Sequence, residues 1–529
     1  MRRHLLTVAA VAAMVAVLTP PTPGHAAGSS PALAWGSCPP APAGVERDPR
    51  QQCTTLQVPL DYRKPQGRKI DIAVSRIPTA KPGLRHGILL FNPGGPGGSG
   101  LDFPAQLLPL LPTDVTDRFD LIGFDPRGVG HSTPVTCGIG ADTEVDLILP
   151  YPTPDGSIDR NVAFGRQTAE NCARLSGDLL PHITTANTAR DMDRIRAALG
   201  ERTLSYLGYS YGTYLGAVYT SLFPGTSDRI LLDSAVDPKL VWYDMWRTWG
   251  PAIALRLPDF TKWAADRDAT YHLGATAHAV EHTYEELAAR FDRDPLPLPG
   301  LTVNGNVLRE ITRSSLYDDH GFPALAEVWQ FLAESSAPAP VSAGSPEVAS
   351  VLREMLRSRP AAQQVPVDND IAALYSVVCD DVAWPREIGT YARNVAVDRR
   401  VFPATAGMPS NAWPCAFWTS RPTEPPVEVT DKGPRNVLIL QNLRDPATPW
   451  ITGFGLRQSL GKRADFISVD QGGHGVYLFT RAPCANDVAT AFLAQGVLPA
   501  RDAFCPGQSP GDVTGLTTTP RVRLPGPLG

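Results

Sequence analysis

The sequence has few charged residues for its length and no block of basic ones. Lysine, arginine, aspartate and glutamate make up 19% of the 529 residues, and the formal net charge is −5. Nucleic acids and anionic membrane surfaces bind to concentrated positive charge, so this composition argues against both as partners. The chain also lacks a Gly-Lys-Ser/Thr phosphate-binding motif and a C-x-x-C cysteine pair. We therefore expect no nucleotide, metal ion or other cofactor.

A long apolar run is present only at the N-terminus. Arg2 and Arg3 precede the apolar segment 5–18, prolines interrupt the chain at 20–23, and small residues at 26–27 offer a cleavage site. This pattern predicts a secretory signal peptide, which we place at residues 1–27. A retained membrane anchor is the alternative, but the run is shorter than the roughly 18 apolar residues that a spanning helix needs. We expect a secreted monomer that has no membrane partner.

Eight cysteines agree with an extracellular destination. An even number of cysteines without zinc-like spacing predicts disulfides, although their connectivity does not follow from sequence. Our working hypothesis pairs neighbours along the chain, which closes four short loops. The cysteines are Cys38, Cys53, Cys137, Cys172, Cys379, Cys415, Cys484 and Cys505.

Apolar segments of strand length alternate with helical patterns along much of the chain. Residues 56–60 and 70–77 predict an antiparallel hairpin, since the second segment alternates apolar and polar side chains. Further apolar runs predict parallel strands that are covered on both faces: 87–92, 119–124, 203–208, 230–233, 437–440 and 466–469. We therefore expect an α/β protein with a mostly parallel, eight-stranded sheet and helices on both faces.

Residues 237–405 interrupt this alternation and have mainly helical and loop patterns. The segment is too long for a loop, so we expect a lid domain over the carboxyl edge of the sheet, where such sheets bind ligands. The core then consists of residues 51–236 and 406–505. A Pro/Gly-rich leader at 28–50 precedes it, and a loose tail at 506–529 follows.

The candidate nucleophile is Ser210, in the Gly-x-Ser-x-Gly sequence Gly208 to Gly212. The segment follows a predicted strand and opens a helical pattern, so the glycines would permit a sharp turn that exposes the serine hydroxyl. This turn also directs the backbone N–H of Tyr211 and the positive helix end towards a developing oxyanion. A Gly-Ser turn without chemistry is the alternative.

In α/β enzymes whose nucleophilic serine lies at such a turn, the catalytic residues follow along the chain in the order serine, acid, histidine, each after a strand. His474 lies between glycines after the last of the expected strands and is the candidate base. Asp445 follows the preceding strand and is the candidate acid, which would orient His474. Asp233 and Asp237 are the rival acids, because they follow the strand after the nucleophile helix.

A glycine-rich segment at 93–100 follows the first parallel strand. In enzymes with this nucleophile turn, the loop after this strand supplies the second N–H donor to the oxyanion. We assign that donor to the N–H of Gly95. A phosphate-binding loop is the alternative reading, which the missing lysine motif disfavours. Residues 123–132, with His131, are interpreted as scaffolding for the site.

Together these motifs resemble the secreted bacterial tripeptidyl aminopeptidases, a branch of the proline-iminopeptidase-like α/β-hydrolases. The likeness covers residues of about 50 to 505 and is carried by the following segments: Pro93 to Gly97, Asp125 to Ser132, Gly208 to Gly212, Asp445 with Thr448, and Gly473 to Gly475. One departure is Pro93, where proline iminopeptidases have histidine.

The resemblance implies a serine exopeptidase that releases tripeptides from peptides with a free N-terminus. It also implies that Asp380 and Asp381, in a segment similar to the family's cysteine-plus-acid lid motif, pair with the substrate ammonium; a solvated acidic turn is the alternative. A carboxylesterase or lipase would share the catalytic residues and is the alternative, since related mycobacterial enzymes carry a carboxylesterase label. A binding protein without catalysis is a third possibility, which the complete set of catalytic residues disfavours.

Overall fold

The computed structural model describes residues 33–42, 44–298, 300–335, 352, 365–507 and 524. The expected signal peptide at 1–27 and most of the expected tail at 506–529 lie outside these residues. Within the described residues, the main sheet has nine strands in the order β1-β2-β4-β3-β5-β6-β9-β10-β11. In chain order the strands are β1 Gln52–Pro59, β2 Lys69–Ile77, β3 Gly87–Asn92, β4 Phe119–Phe124, β5 Leu204–Tyr209, β6 Ser227–Asp233, β7 Leu296–Leu298, β8 Leu301–Val303, β9 Val437–Arg444, β10 Ala464–Gly472 and β11 Ala503–Cys505.

The sheet is antiparallel at one edge and parallel elsewhere. Strand β2 pairs antiparallel with β1 and with β4, whereas the pairs from β4 to β11 are parallel. The expectation of eight strands is wrong by one, because β11 pairs with β10. This strand has only three residues, too few to show a hydrophobic pattern, and a disulfide joins Cys505 to Cys484.

Helices cover both faces of the sheet. The described helices are α1 Phe103–Leu107, α2 Thr113–Thr116, α3 Val145–Ile148, α4 Asp159–Ser176, α5 Thr185–Ala198, α6 Tyr211–Leu222, α7 Tyr243–Arg247, α8 Trp249–Ala265, α9 Asp268–Tyr271, α10 Ala277–Arg293, α11 Gly305–Ser315, α12 Phe322–Glu334, α13 Asn369–Asp381, α14 Ile388–Val401, α15 Trp450–Leu460 and α16 Pro483–Gln495. Alternate residues of β5 enter two different cores, Tyr206 on one face and Leu207 on the other. Both faces are therefore apolar, which explains the uninterrupted apolar runs in the sequence.

A long segment separates β6 from β9 in the chain. It contains α7 to α14 and the small hairpin of β7 and β8. Part of the segment has a hydrophobic core of its own, in which Phe260, Trp263 and Trp329 pack together. We call residues 237–405 the insertion.

Four disulfides join the cysteines in neighbouring pairs along the chain. The bonds are Cys38–Cys53, Cys137–Cys172, Cys379–Cys415 and Cys484–Cys505. Disulfides persist in oxidising surroundings, which agrees with an extracellular protein. None of the helices in the described part of the chain has both the length and the apolar character needed to cross a bilayer.

Candidate active site

The turn between β5 and α6 carries Ser210 in a backbone conformation that side chains rarely adopt. Its φ is 55° and its ψ is −123°, and its N–H donates to the backbone oxygen of Asp233 over 3.0 Å. A β-carbon on Gly208 would lie 2.5 Å from the backbone oxygen of Gly212. One on Gly212 would lie 2.8 Å from Oδ1 of Asn92. Both glycines of the motif are therefore required by close approach, as expected for a nucleophile turn.

The glycine-rich segment after β3 packs directly against this turn. A β-carbon on Gly94 would lie 2.9 Å from Cβ of Ser210 and 2.7 Å from the backbone oxygen of Tyr209. The next residue, Gly95, has a φ of +108° and lines the same cavity as Ser210 and Tyr211. Since Tyr211 is the first residue of α6, its N–H has no acceptor within the helix. The structure thus brings both expected oxyanion donors to the serine.

Asp125 holds the glycine-rich segment in place. Its Oδ1 accepts hydrogen bonds from the Ser99 hydroxyl over 2.6 Å and from the N–H groups of Gly100 and Leu101 over 3.1 Å each. Its Oδ2 accepts from the N–H of His131 over 2.8 Å. The loops after β3 and β4 are therefore joined through one buried carboxylate, in agreement with the scaffolding interpretation of residues 123–132.

His474 lies on a glycine-flanked loop after β10 and is bound to Asp445. Its Nδ1 is 2.9 Å from each carboxylate oxygen of Asp445, and both side chains are fully buried. Asn442 donates to the backbone oxygens of Gly473 and Gly475 over 2.9 and 3.1 Å, which fixes the loop on either side of the imidazole. Asp445 is thus placed to select the tautomer that carries hydrogen on Nδ1 and to stabilise an imidazolium.

Ser210 and His474, the candidate nucleophile and base, are not hydrogen-bonded to each other in this structure. The Nε2 atom of His474 is buried and has no hydrogen-bond partner among the described residues. Thr448 connects the two halves of the site: its hydroxyl donates to Asp445 over 3.0 Å, lies 3.4 Å from His474 Nδ1, and its side chain lines the cavity at Ser210. Catalytic hydrogen bonds are often long before substrate binds. An unpartnered Nε2 is the acceptor that a serine hydroxyl requires.

The rival acids serve other purposes. Asp233 is fully buried and accepts hydrogen bonds from the N–H groups of Val476 and Tyr477 over 2.8 and 2.7 Å. Burial raises its pKa to about 7. It therefore holds the chain just after His474 and does not bind the imidazole. Asp237 accepts from the N–H of Lys239 over 2.9 Å, and partial burial raises its pKa.

A small aromatic cavity opens onto Ser210. Its lining residues are Gly95, Ser210, Tyr211, Val236, Trp242, Met245, Trp246, Trp249, Tyr317, Ala447 and Thr448. None of these side chains is charged, and Trp242, Trp246, Trp249 and Tyr317 come from the insertion. The cavity has a volume of about 20 Å³, which is enough for roughly one water molecule. A peptide can enter only if part of the wall moves.

Asp380 and Asp381, expected to face the substrate, do not line this cavity. Asp380 accepts hydrogen bonds from the Trp418 indole over 3.0 Å and from the Ser420 hydroxyl, and burial raises its pKa to about 8. Asp381 accepts from the N–H and the hydroxyl of Thr185, each over 2.7 Å. Burial raises its pKa to about 6.

Asp381 nevertheless contacts the cavity wall from behind. It accepts a hydrogen bond from the Trp242 indole over 3.1 Å. The Thr185 hydroxyl that binds Asp381 also lies 3.0 Å from the Tyr211 hydroxyl. The carboxylate therefore holds two rings of the wall in place, and its oxygens are occupied by protein donors.

Most residues of the cavity wall are not evident as site residues from the sequence. Trp242, Trp246 and Trp249 have spacings of four and three, which is the pattern of one helix face and could have indicated a common aromatic surface. Tyr317 has no such signal. Among the described residues, no group of three or more histidines, cysteines or acids is placed to hold a metal ion.

A serine at a strand-to-helix turn of a parallel sheet, with a histidine and an aspartate on later loops, defines a serine hydrolase of the α/β-hydrolase fold. Comparison with known proteins agrees. The family described as "TAP-like protein" matches residues 402–505.

Relatives match most of the chain. The tripeptidyl aminopeptidase of Streptomyces lividans is 38% identical over 464 residues, covering 86% of this chain and 83% of that protein. The serine protease Hip1 of Mycobacterium tuberculosis is 30% identical, covering 95% of this chain and 98% of that one. A carboxylesterase B of Mycobacterium tuberculosis is 32% identical and covers 90% of each chain. The chain belongs to the tripeptidyl aminopeptidase family.

Proposed function

We propose that the protein is a secreted serine exopeptidase that releases tripeptides from peptides with a free N-terminus. The observation that carries the proposal is that Ser210 lines a cavity together with Thr448, whose hydroxyl binds the paired side chains of Asp445 and His474, in a chain of this family. Secretion rests on the signal peptide expected at 1–27 and on the four disulfides.

In the proposed reaction, Ser210 Oγ attacks the scissile carbonyl while Nε2 of His474 takes its proton. Asp445 keeps hydrogen on Nδ1, so Nε2 is free to accept, and the carboxylate stabilises the imidazolium that forms. His474 then donates the proton to the leaving amine. The product of this half-reaction is an ester between the tripeptide and Ser210.

The negative charge of the tetrahedral intermediate develops beside the N–H groups of Gly95 and Tyr211. Both residues line the cavity with Ser210, and α6 adds the positive end of its dipole. Water, activated by His474, hydrolyses the ester and releases the tripeptide. No step requires a cofactor.

The insertion is proposed to act as the lid. It supplies the tryptophans of the cavity wall, and the wall encloses too little space for a tripeptide. Displacement of this wall would admit the substrate, and its return would exclude water from the acylation step. The core segments 51–236 and 406–505 carry the catalytic residues beneath it.

Recognition of the free N-terminus is assigned to the acidic pair at the end of α13. Asp381 lies behind Trp242, which donates to it, so it would meet the ammonium group only once the wall has been displaced. Asp380 lies beside it and, because burial raises its pKa to about 8, would offer a hydrogen-bonding carboxyl group and not a full negative charge at neutral pH. A short distance between this acidic position and Ser210 would limit the released fragment to a few residues.

The proposal is tested by Ser210→Ala. We expect the variant to fold and to lose several orders of magnitude in kcat on a tripeptide anilide with a free N-terminus, because the nucleophile is absent. Ser221→Ala, which changes a serine hydroxyl on the same helix that donates to the backbone of Ala217, is the matched control. Retained activity in Ser210→Ala contradicts the assignment.

An esterase is the second candidate, because a relative of similar identity is named carboxylesterase B. The two functions separate on one comparison: hydrolysis of a free tripeptide anilide, its N-acetylated form, and a short-chain ester. An exopeptidase prefers the free peptide over the acetylated one by a large factor. Equal rates on both peptides, or a preference for the ester, would favour the esterase.

A further inference from the structure

The base loop is held from two sides, and one side is the insertion. On the core side, Asn442 binds the glycines around His474, and Asp233 binds the two residues after Gly475. On the other side, the backbone N–H of His474 donates to the backbone oxygen of Tyr317 over 2.8 Å. The insertion therefore reaches the residue proposed as the base.

The same tyrosine also contacts the imidazole. The rings of Tyr317 and His474 have centroids 5.1 Å apart and meet edge to face. Gly473 and Gly475 both have positive φ, a backbone conformation that glycine adopts without strain. Contacts from other segments of the chain orient the His474 imidazole relative to Ser210. Tyr317, which also lines the cavity, provides one of these contacts.

Tyr317 is itself fixed by a buried ion pair. Its hydroxyl accepts a hydrogen bond from Arg313 over 3.1 Å. Arg313 makes a bidentate pair with Glu310, with distances of 2.8 and 2.6 Å, and Tyr151 donates to Glu310 over 3.0 Å. Both charged side chains are almost fully buried. The buried pair therefore offers a fixed donor to the hydroxyl, in addition to the ring and backbone contacts that Tyr317 makes with His474.

A second arginine holds the adjoining backbone. Arg256 on α8 donates to the backbone oxygen of Leu316 over 3.0 Å and also binds Asp259 and Asp319. Asp259 in turn accepts from Arg444, the neighbour of Asp445, over 2.9 Å. The insertion segment at Tyr317 is thus joined to both loops that carry the proposed acid and base.

We propose that Tyr317 is a positioning residue of the insertion, which holds the His474 imidazole in the orientation needed to accept the Ser210 proton. The proposal rests on the proposed function. It implies that the insertion contributes to the chemistry and not only to substrate selection, because one of its residues contacts the base.

The test compares Tyr317→Leu with Tyr317→Phe. The leucine variant loses the ring and should lower both kcat and the rate of Ser210 labelling by a fluorophosphonate by about 10- to 100-fold, as expected for a misplaced base. The phenylalanine variant keeps the ring and should stay within about threefold of the wild-type labelling rate. If Tyr317 had only a structural role, the two variants would be labelled at the same rate when both are fully folded.

Tyr284→Leu is the matched control. Tyr284 is also a buried tyrosine of the insertion, stacked on Trp329 with centroids 4.9 Å apart, but it does not line the cavity. Ser210 of the Tyr284→Leu variant should be labelled at the wild-type rate. A ¹⁵N-histidine spectrum, assigned with His474→Gln, should show a shifted Nδ1 proton signal in Tyr317→Leu and an unchanged one in Tyr284→Leu.

Two results overturn the proposal: wild-type labelling and an unchanged Nδ1 signal in Tyr317→Leu, or an equal loss in Tyr284→Leu. The labelling readout needs no peptide. If the wild-type protein labels at Ser210 but hydrolyses no peptide, the proposed function fails while the role of Tyr317 is still decided by the labelling rates.

Discussion

Replacing Asp445 by asparagine tests the orientation of the base. In the structure, Oδ1 of Asp445 accepts from the N–H groups of Ala447 and Thr448 over 2.8 and 2.9 Å. These two donors require an acceptor at that position, so the amide oxygen of the substituted side chain would take the place of Oδ1. The amide NH2 would take the place of Oδ2, which lies 2.9 Å from Nδ1 of His474.

In the wild-type protein the Asp445 carboxylate accepts a hydrogen bond from Nδ1–H of His474. The NH2 group of the asparagine would instead donate a hydrogen bond to Nδ1. His474 would then carry its hydrogen on Nε2 and could not take the proton of Ser210. The imidazolium would also lose its counter-charge. We expect kcat to fall by about 10⁴-fold, which corresponds to a barrier increase of about 5 kcal/mol. The fold should persist, because both backbone hydrogen bonds are kept.

The assay is steady-state hydrolysis of a tripeptide anilide with a free N-terminus, with thermal unfolding as the check on folding. Asp237→Asn is the control, since Asp237 is a rival acid that follows β6 and does not bind the imidazole. We expect the control to keep kcat within about twofold. If Asp445→Asn loses less than about tenfold while Asp237→Asn loses more, the assignment of the acid is refuted.

Three further perturbations follow from the packing. Gly94→Ala should lower both kcat and the melting temperature, because its β-carbon would press on the nucleophile turn at a φ of +102°; a variant with wild-type values for both refutes the close approach. Burial raises the pKa of Asp380 to about 8, so the folded state retains a proton that the unfolded state has lost, and stability falls as pH rises from the usual carboxyl pKa towards 8. Asp380→Asn should therefore raise the melting temperature at pH 9 relative to wild type and change it less at pH 5; the same difference at both pH values contradicts this reasoning. Replacing Cys379 and Cys415 by serine removes a bond that joins α13 to residue 415 across 36 positions and should lower unfolding stability by about 2–4 kcal/mol, which denaturant titration measures; an unchanged midpoint contradicts it.

The parallel part of the sheet was predictable because its strands are buried on both faces. Residues 87–92 and 204–209 appear in the sequence as apolar runs, and the structure has strands there. The strand Ala503–Cys505 was not predicted. Its place in the sheet depends on pairing with β10 and on a disulfide, and neither leaves a hydrophobic pattern in three residues.

The candidate site also has a part that the sequence predicted and a part that it did not. Ser210 and His474 could be proposed from the sequence because glycines surround them, and a backbone that must turn sharply favours glycine at nearby positions. The wall of the cavity was not found. Tyr317 contacts His474 across 157 positions of chain, and nothing near Tyr317 in sequence indicates its neighbour.

The sequence by itself determined the parallel strands that are buried on both faces and the proposed nucleophile and base, Ser210 and His474, since these depend on local backbone geometry and on residue chemistry. Only the tertiary structure decided which aspartate binds His474, where Asp380 and Asp381 point, and that the insertion contacts the base. Those outcomes depend on distances between remote segments, which packing sets and local sequence does not encode.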